Sequence, residues 1–186
     1  MSSDHQIDDP SRPADPPLDD PELPGQVREL GEPLLEGLEE SIPGARERAN
    51  ATGAYALATA VGLGFGRSDA ELCRETARLA DIGRIYEPAG AHHEAGAQLA
   101  RGAGLPEAVC EWILAAAEHY DGTGPAGLSG SEIPVFSRIV RAAKRCDEFV
   151  MQGSDPAALR ALAGAELDPA MVDALASMLE HSESSE

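Results

Sequence analysis

The sequence predicts an all-α fold, a bundle of about seven or eight helices, and three observations support this. Apolar residues recur at three- and four-residue spacing, as in Leu30, Leu34, Leu35 and Leu38, which places them on one helix face. No segment shows the alternation typical of a strand. Aromatic residues make up only 4% of the chain, so Ala, Leu, Val and Ile must build the core, and Ala favours helix.

Turn and cap signals divide the chain into these helices. Pro43-Gly44 ends the first helix, the Gly-rich segment 62–66 ends the second, and Ser68 or Asp69 is expected to cap the third. Pro106 suits the first turn of a helix, and the segment 121–125 predicts an irregular loop. The predicted helices span residues 26–42, 45–62, 68–82, 91–101, 106–119, 131–150, 155–164 and 168–180.

Composition and charge divide the chain into three parts. Residues 1–25 hold six prolines and seven acidic residues, which predicts a disordered acidic tail. We expect one helical domain over residues 26–180 and a frayed acidic C-terminus over residues 181–186. The net charge is −19, and residues 1–44 alone carry twelve acidic residues against two Arg. No Lys/Arg cluster forms a basic face, so we expect no binding to nucleic acid or to an anionic membrane.

Cysteine usage and hydropathy indicate the compartment. Cys73, Cys110 and Cys146 are odd in number, widely spaced and never form a CxxC pair, so reduced, buried thiols are expected. The first thirty residues hold no apolar run that resembles a signal peptide. We therefore expect a cytoplasmic protein.

One segment resembles a known bacterial family. Residues 121–139 read DGTGPAGLSGSEIPVFSRI, which resembles the HD-GYP signature HHExxDGxGYPxGLxGxxIPxxARI, although the Tyr of GYP is missing between Gly124 and Pro125. Residues 79–84 resemble the LHDIGK motif, residues 92–96 the HPxxG motif, and residues 167–175 the closing FDPxxVxAF segment. The landmarks occur in family order across residues 28–180, so the resemblance implies an HD-domain-like helical bundle.

The resemblance implies a cyclic di-GMP phosphodiesterase chemistry, which needs two or three iron or manganese ions. Paired metal ions polarise the phosphoryl oxygens and activate a bridging water. Of the seven metal-ligand positions that the family implies, only two keep a ligand residue, Asp81 and His92, which are remnants of the site. Glu118, which follows the lost His-His pair, is also kept. Side chains that cannot bind metal stand at the lost ligand positions, which are Arg48, Ala80, Ala116, Ala117 and Lys144.

These replacements predict that the metal site is lost. Alanine has no lone pair, and a fixed positive charge is repelled by a divalent cation. We therefore expect no cofactor and no catalysis; iron or manganese would be the metal if the site were active. Lys144 or Arg48 is expected to pair with Asp81 and to replace the metal–carboxylate bond. His92 is expected to be hydrogen-bonded, with binding of a single metal ion as its alternative.

The resemblance also marks candidate ligand-binding residues. Arg84 matches a lysine that faces substrate phosphate, and Arg138 matches the Arg of ARI; Glu118 and Asp121 border the loop. Either arginine could bind an anion. A salt bridge to Glu118 or Asp121 is an equally favoured interpretation. Trp112 is interpreted as a core residue, with stacking on a guanine base as the alternative.

Three functions remain open at this point. The first is a catalytically inactive signalling module that acts through a protein partner or self-association. The second is a receptor that binds cyclic di-GMP or another nucleotide without cleaving it, using Arg84, Arg138 and the loop. The third is a residual metal-dependent phosphodiesterase.

Overall fold

The computed structural model describes residues 20–87 and 92–183, and every regular element within them is helical. The seven α-helices are α1 (Leu23–Ser41), α2 (Ala45–Gly62), α3 (Arg67–Arg78), α4 (His92–Gly102), α5 (Glu107–Ala115), α6 (Val135–Met151) and α7 (Pro169–Glu183). Three short 3-10 helices span Ile82–Ile85, Gly130–Glu132 and Pro156–Leu162. The predicted all-α fold and helix number are confirmed.

Helix boundaries differ from the prediction where tertiary contacts intervene. Helix α1 begins at Leu23 rather than residue 26, and Leu23 is buried in the core. Gly66, not Ser68 or Asp69, is the N-cap of α3. Helix α7 continues to Glu183, and residues 184–186 lie outside the described residues, so the frayed C-terminus stays a prediction. Most of the predicted acidic tail, residues 1–19, lies outside the described residues.

Small residues let α2 and α3 pack closely. A Cβ atom on Gly53 of α2 would lie 2.8 Å from Cγ of Arg78 and 3.2 Å from the carbonyl oxygen of Arg74, so only glycine permits this helix contact. Ala56 and Ala60 of α2 are fully buried on the same side. This contact places the end of α3, and the segment that follows it, against the middle of the domain.

A buried ionic network ties α1 to α3. Glu75, which is 1% exposed, accepts hydrogen bonds from Arg78 (2.7 Å) and Arg28 (3.0 Å), and Arg78 also donates to Glu32 (2.7 Å). Because both charges of the Arg78–Glu75 pair are buried and paired, neither is left without compensation. The network fixes the orientation of α3, and Asp81 lies just after the end of this helix.

Trp112 belongs to the core. It is 6% exposed, and its ring centroid lies 4.7 Å from that of Phe136, with the rings inclined at 66°. Such an edge-to-face pair is a favoured aromatic arrangement. The interpretation of Trp112 as a core residue is confirmed.

Candidate functional site

Four side chains from three separate segments meet at one point. Asp81 follows α3, His92 and His93 open α4, and Lys144 lies in the middle of α6. Nζ of Lys144 lies 2.5 Å from Oδ1 of Asp81 and 3.4 Å from Nε2 of each histidine. We call Asp81, His92, His93 and Lys144 the lysine cluster. Its central group is an ammonium, and the expected pairing of Lys144 with Asp81 is present.

The lysine cluster is largely shielded from solvent. The side chains of Lys144 and Asp81 are 11% and 28% exposed, and His93 is 5% exposed. Burial opposes ionisation of Asp81, but the hydrogen bond with His92 and the charge of Lys144 prevail and hold the pKa of this carboxyl well below its usual range. The Asp81–Lys144 contact is therefore a charged pair at neutral pH.

His93 is held in a neutral form. Its Nδ1 lies 3.1 Å from the carbonyl oxygen of Ile113; since a carbonyl only accepts, Nδ1 carries the proton and Nε2 presents a lone pair to Lys144. Burial, together with the charge of Lys144, lowers the pKa of His93 to about 3. His93 thus acts as an uncharged acceptor for the ammonium.

This buried histidine should make stability depend on pH. Between pH about 6.5 and about 3, an unfolded chain protonates His93 whereas the folded chain does not, so the free energy of unfolding falls as pH falls, by up to about 1.4 kcal/mol per pH unit. Urea unfolding at pH 7.5, 6 and 5 measures this slope. We expect His93→Gln to reduce it, since glutamine does not titrate, and an unchanged slope in this variant would contradict the assignment.

Arg48 pairs with a carboxylate other than Asp81. Its Nε lies 3.2 Å from Oδ2 of Asp147, whose side chain is 6% exposed. Burial raises the pKa of Asp147, while the Arg48 hydrogen bond opposes this rise. Of the two cations proposed for Asp81, Lys144 is therefore the partner, and Arg48 ties α2 to α6 instead.

The residues present do not fit a dinuclear metal centre. Ala80, Ala116 and Ala117 offer only methyl groups, and Ala80 and Ala116 are completely or almost completely buried. Nζ of Lys144 lies at the point on which Asp81, His92 and His93 converge, where its charge repels a cation. No group of three His, Cys, Asp or Glu side chains within residues 20–87 and 92–183 is arranged to hold a metal ion.

The hydrogen bonding of the second ring nitrogen of His92 also argues against a metal centre. Metal-binding histidines usually donate the second ring N–H to an acceptor that fixes the ring. His93 has such an acceptor in Ile113, but Nδ1 of His92 is buried and, within the part of the chain that the structure describes, has no hydrogen-bond partner. Nε2 of His92 lies 3.3 Å from Asp81, in agreement with the expected hydrogen-bonded role.

Arg138, one of the candidate ligand-binding residues, has partners inside the domain. Arg138 is 7% exposed and donates to Asp168 (2.6 Å) and to the carbonyl of Ile133 (2.9 Å). This corrects the expectation that Arg138 holds an external anion, because its guanidinium is buried in an internal ion pair. Its partner is Asp168, so the alternative of a salt bridge to Glu118 or Asp121 is wrong as well.

Glu118 and Asp121 organise the loop after α5. Glu118 is 4% exposed and accepts hydrogen bonds from the backbone N–H groups of Ala126 (2.7 Å) and Leu128 (3.2 Å). Helix α5 ends at Ala115 rather than at residue 119, so Glu118 lies beyond the end of the helix. Asp121 is exposed and accepts from the backbone N–H and hydroxyl of Thr123, which lowers its pKa. Both carboxylates therefore hold the loop in shape.

Arg84 lies on the wall of a cavity, and its role in ligand binding stays a prediction. Its side chain is 32% exposed, and its closest carboxylate is Asp81 at 3.8 Å, beyond hydrogen-bond distance. Asp81 is neither of the two carboxylates, Glu118 and Asp121, that the sequence offered as salt-bridge partners of Arg84. Arg84 lines a cavity of about 480 Å³ together with Arg48, Asp81, Lys144 and Asp147. A second cavity, of about 580 Å³, lies beside His93, Ala117 and the loop.

Sequence reasoning missed Asp147, and it considered His93 only as a neighbour that could replace one misassigned metal ligand. His93 stands at the second position of the HPxxG match, and only the structure shows that His92 and His93 both lie beside Lys144. Asp147 follows Lys144 by three residues on α6, which is the spacing of a shared helix face. From that spacing, the sequence could have placed Asp147 on the same helix face as Lys144.

Comparisons with known proteins agree with this architecture. A family model described as an HD domain matches residues 84–167. The chain is also 37% identical over 90 residues to 3'3'-cGAMP-specific phosphodiesterase 3 of Vibrio cholerae, a match that covers 46% of this chain and 20% of that protein. The matched region is therefore similar to HD domains, and the family model covers a little less than half of the chain. The chain spans only a fifth of the length of this curated relative.

Solved structures show the same HD-domain fold. The crystal structure of a cyclic GMP-AMP-specific phosphodiesterase of V. cholerae matches with a TM-score of 0.67 at 21% identity, over 85% of this chain and 49% of that one. An HDG"Y"P protein from Bdellovibrio bacteriovorus matches with a TM-score of 0.66 at 16% identity, over 90% and 75%. The HD domain of L. monocytogenes phosphodiesterase PgpH, in complex with cyclic-di-AMP, gives 0.57 at 16% identity, over 81% and 96%.

None of the helices in the described part of the chain combines the length and the apolar character that crossing a membrane requires.

Proposed function

We propose that this chain is a catalytically inactive HD-GYP-like regulatory domain that acts by binding a protein partner or a second copy of itself, in a cytoplasmic signalling pathway. The observation that carries the proposal is the lysine cluster. Its ammonium lies 2.5 Å from Asp81 and 3.4 Å from both histidines, so these side chains already share an internal cation. Metal-assisted hydrolysis needs open coordination positions for a nucleophilic water, and this arrangement offers none.

The preserved scaffold supports a role in binding rather than chemistry. Glu118 still holds the loop through two backbone hydrogen bonds, and Arg138 still anchors α6 to Asp168. A domain that keeps its folded loops while losing its metal ligands can still present a surface to a partner. The large acidic excess of the chain, with a net charge of −19, favours a partner with a basic surface.

One experiment tests the loss of catalysis. The protein, purified without oxygen and supplied with Mn²⁺ or Fe²⁺, is incubated with cyclic di-GMP, 3'3'-cGAMP and cyclic-di-AMP, and the products are followed by chromatography. We expect no cleavage and far less than one bound metal ion per chain. Two bound transition-metal ions per chain, with hydrolysis that Asp81→Ala abolishes, would support the residual phosphodiesterase and overturn this proposal.

A specific observation favours a second candidate, a nucleotide receptor without cleavage. The cavity of about 480 Å³ beside the lysine cluster is within the usual size range of small-molecule sites, and Arg84 faces it without a hydrogen-bonded carboxylate. The names of the relatives connect their proteins to cyclic GMP-AMP and cyclic-di-AMP. The same incubations, repeated in a calorimeter, separate binding without cleavage from no binding.

A further inference from the structure

An open groove of about 630 Å³ lies between α1 and α4, and we call it the α1–α4 groove. Its apolar side chains, Leu34 of α1 and Leu99 and Ala103 of α4, are only partly buried against the core. Tyr86 lines the same groove and is 69% exposed. An exposed aromatic ring beside partly exposed apolar side chains marks a surface that an apolar segment can cover.

Two polar side chains of the groove have no partner inside the domain. Glu87 and Gln98 are exposed, and within the part of the chain that the structure describes neither side chain makes an ion pair or a hydrogen bond. Glu32 and Glu75, by comparison, are both paired with Arg78. The groove therefore offers a segment an unpaired carboxylate and a free amide as well as apolar contacts.

Residues 10–17, which lie outside the described part of the chain, have the composition that such a groove binds. They read PSRPADPP, so proline recurs at three-residue spacing at Pro10, Pro13 and Pro16. Proline fixes φ at about −65°, which favours a polyproline II helix with about three residues per turn. The prolines then share one face, and grooves that recognise such segments are lined by aromatic rings. The carbonyl oxygens of this helix have no internal partner, so they can accept from Gln98.

The charges of the segment and the groove also match. Arg12 is the only basic residue among residues 1–27, and it supplies the positive charge that Glu87 lacks among the described residues. Asp15 stands about 9 Å further along a polyproline II helix. Physiological salt screens its repulsion by Glu87 over about this distance, so one ion pair is favoured without a strong opposing contact.

The segment can reach the groove from the start of its own α1. Leu34 lies eleven residues after Leu23, where α1 begins, which is about 17 Å along the helix. The seven residues from Pro13 to Asp20 span about 22 Å in polyproline II form, so Pro13 can lie beside Leu34. A turn closed by the hydrogen bond from the N–H of Leu23 to the carbonyl of Asp20 (3.3 Å) precedes α1.

We propose that residues 10–17 of this chain bind in its own α1–α4 groove as a polyproline II segment, with prolines against Tyr86 and Leu34 and with Arg12 paired with Glu87. Because the segment and the groove belong to one molecule, weak contacts suffice to hold it there. A partner with a similar segment would have to displace it. The inference is independent of the proposed functions, since neither the lysine cluster nor the cavity beside it takes part.

Disulfide trapping in the whole chain tests this binding. The variant Ser11→Cys/Ala95→Cys places one thiol on the segment and one in the groove, while Tyr86, Glu87 and Gln98 stay in place. The matched control is Ser11→Cys/Ser131→Cys, because Ser131 is exposed but does not line the groove. The three native cysteines are buried, and burial raises their pKa, so they react slowly under mild oxidation.

We expect Ser11→Cys/Ala95→Cys to form its disulfide within one chain at least about tenfold faster than the control. Adding Arg12→Glu should slow this reaction about threefold to fivefold, and adding Glu87→Arg as well should restore the rate, since the exposed ion pair then forms with reversed polarity. Tyr86→Ala should slow the reaction by at least as much, because the aromatic contact is lost.

Three results would overturn the proposal. The first is an equal rate for the groove variant and the control. The second is a charge reversal at Glu87 that restores nothing. The third is a disulfide-linked dimer whose yield rises with protein concentration, which would assign the groove to a segment of a second copy rather than to the segment of the same chain.

Discussion

Replacing Lys144 by methionine is expected to lower the free energy of unfolding by about 2–4 kcal/mol. The substitution leaves the Asp81 carboxylate in a largely enclosed site without its cation, and it also removes the donor that faces Nε2 of His93. Because Asp81 is 28% exposed, the expected loss lies somewhat below that of a completely buried pair. Urea unfolding at pH 7 measures it.

A double-mutant cycle with Asp81→Asn separates the pair from general packing effects. Asparagine carries no charge, so the double variant should regain part of the stability that Lys144→Met loses, with a coupling of about 1–3 kcal/mol. Arg101→Met is the matched control, since its pair with Glu107 is exposed on both sides and should add little. Simple additivity in the cycle would show that the ammonium does not replace a metal ion as a structural tie.

Replacing Gly83 by alanine is expected to destabilise the fold by about 3 kcal/mol or more. A Cβ atom on Gly83 would lie 1.8 Å from the carbonyl oxygen of His92 and 2.4 Å from the backbone nitrogen of Gly96. Both contacts are with backbone of α4, so no side-chain rotation relieves them. Helix α4 must move away, and the histidines of the lysine cluster move with it. Thermal unfolding measures the loss.

Gly25→Ala is the control for the intrinsic effect of the glycine-to-alanine change. Gly25 lies in α1, and a Cβ atom there would meet nothing within 4 Å, so this variant should be neutral or slightly more stable. Equal melting temperatures for Gly83→Ala and the native chain would show that α4 does not depend on this close approach to the 3-10 helix.

Much of the fold follows from local sequence. The spacing of Leu35 and Leu38, the break at Pro43-Gly44 and the loop around Asp121 depend on periodicity and turn preference, which act over a few residues. These signals located the helices and the loop, and the motif order placed Asp81, Arg84 and His92 in one region. The helix end predicted at residue 119 was wrong, since α5 ends at Ala115. Glu118 instead accepts hydrogen bonds from Ala126 and Leu128, and these contacts form only when the loop folds back.

The sequence by itself determined the helical class and the order of the elements, and it predicts that Ala80, Ala116 and Ala117 stand at lost metal-ligand positions. Only the tertiary structure decided which cation meets which carboxylate: Lys144 rather than Arg48 pairs with Asp81, and Arg138 pairs with Asp168, thirty residues away. The reason is physical. An ion pair depends on distance in space, and helices that are far apart in the chain meet only after their small and apolar faces have packed.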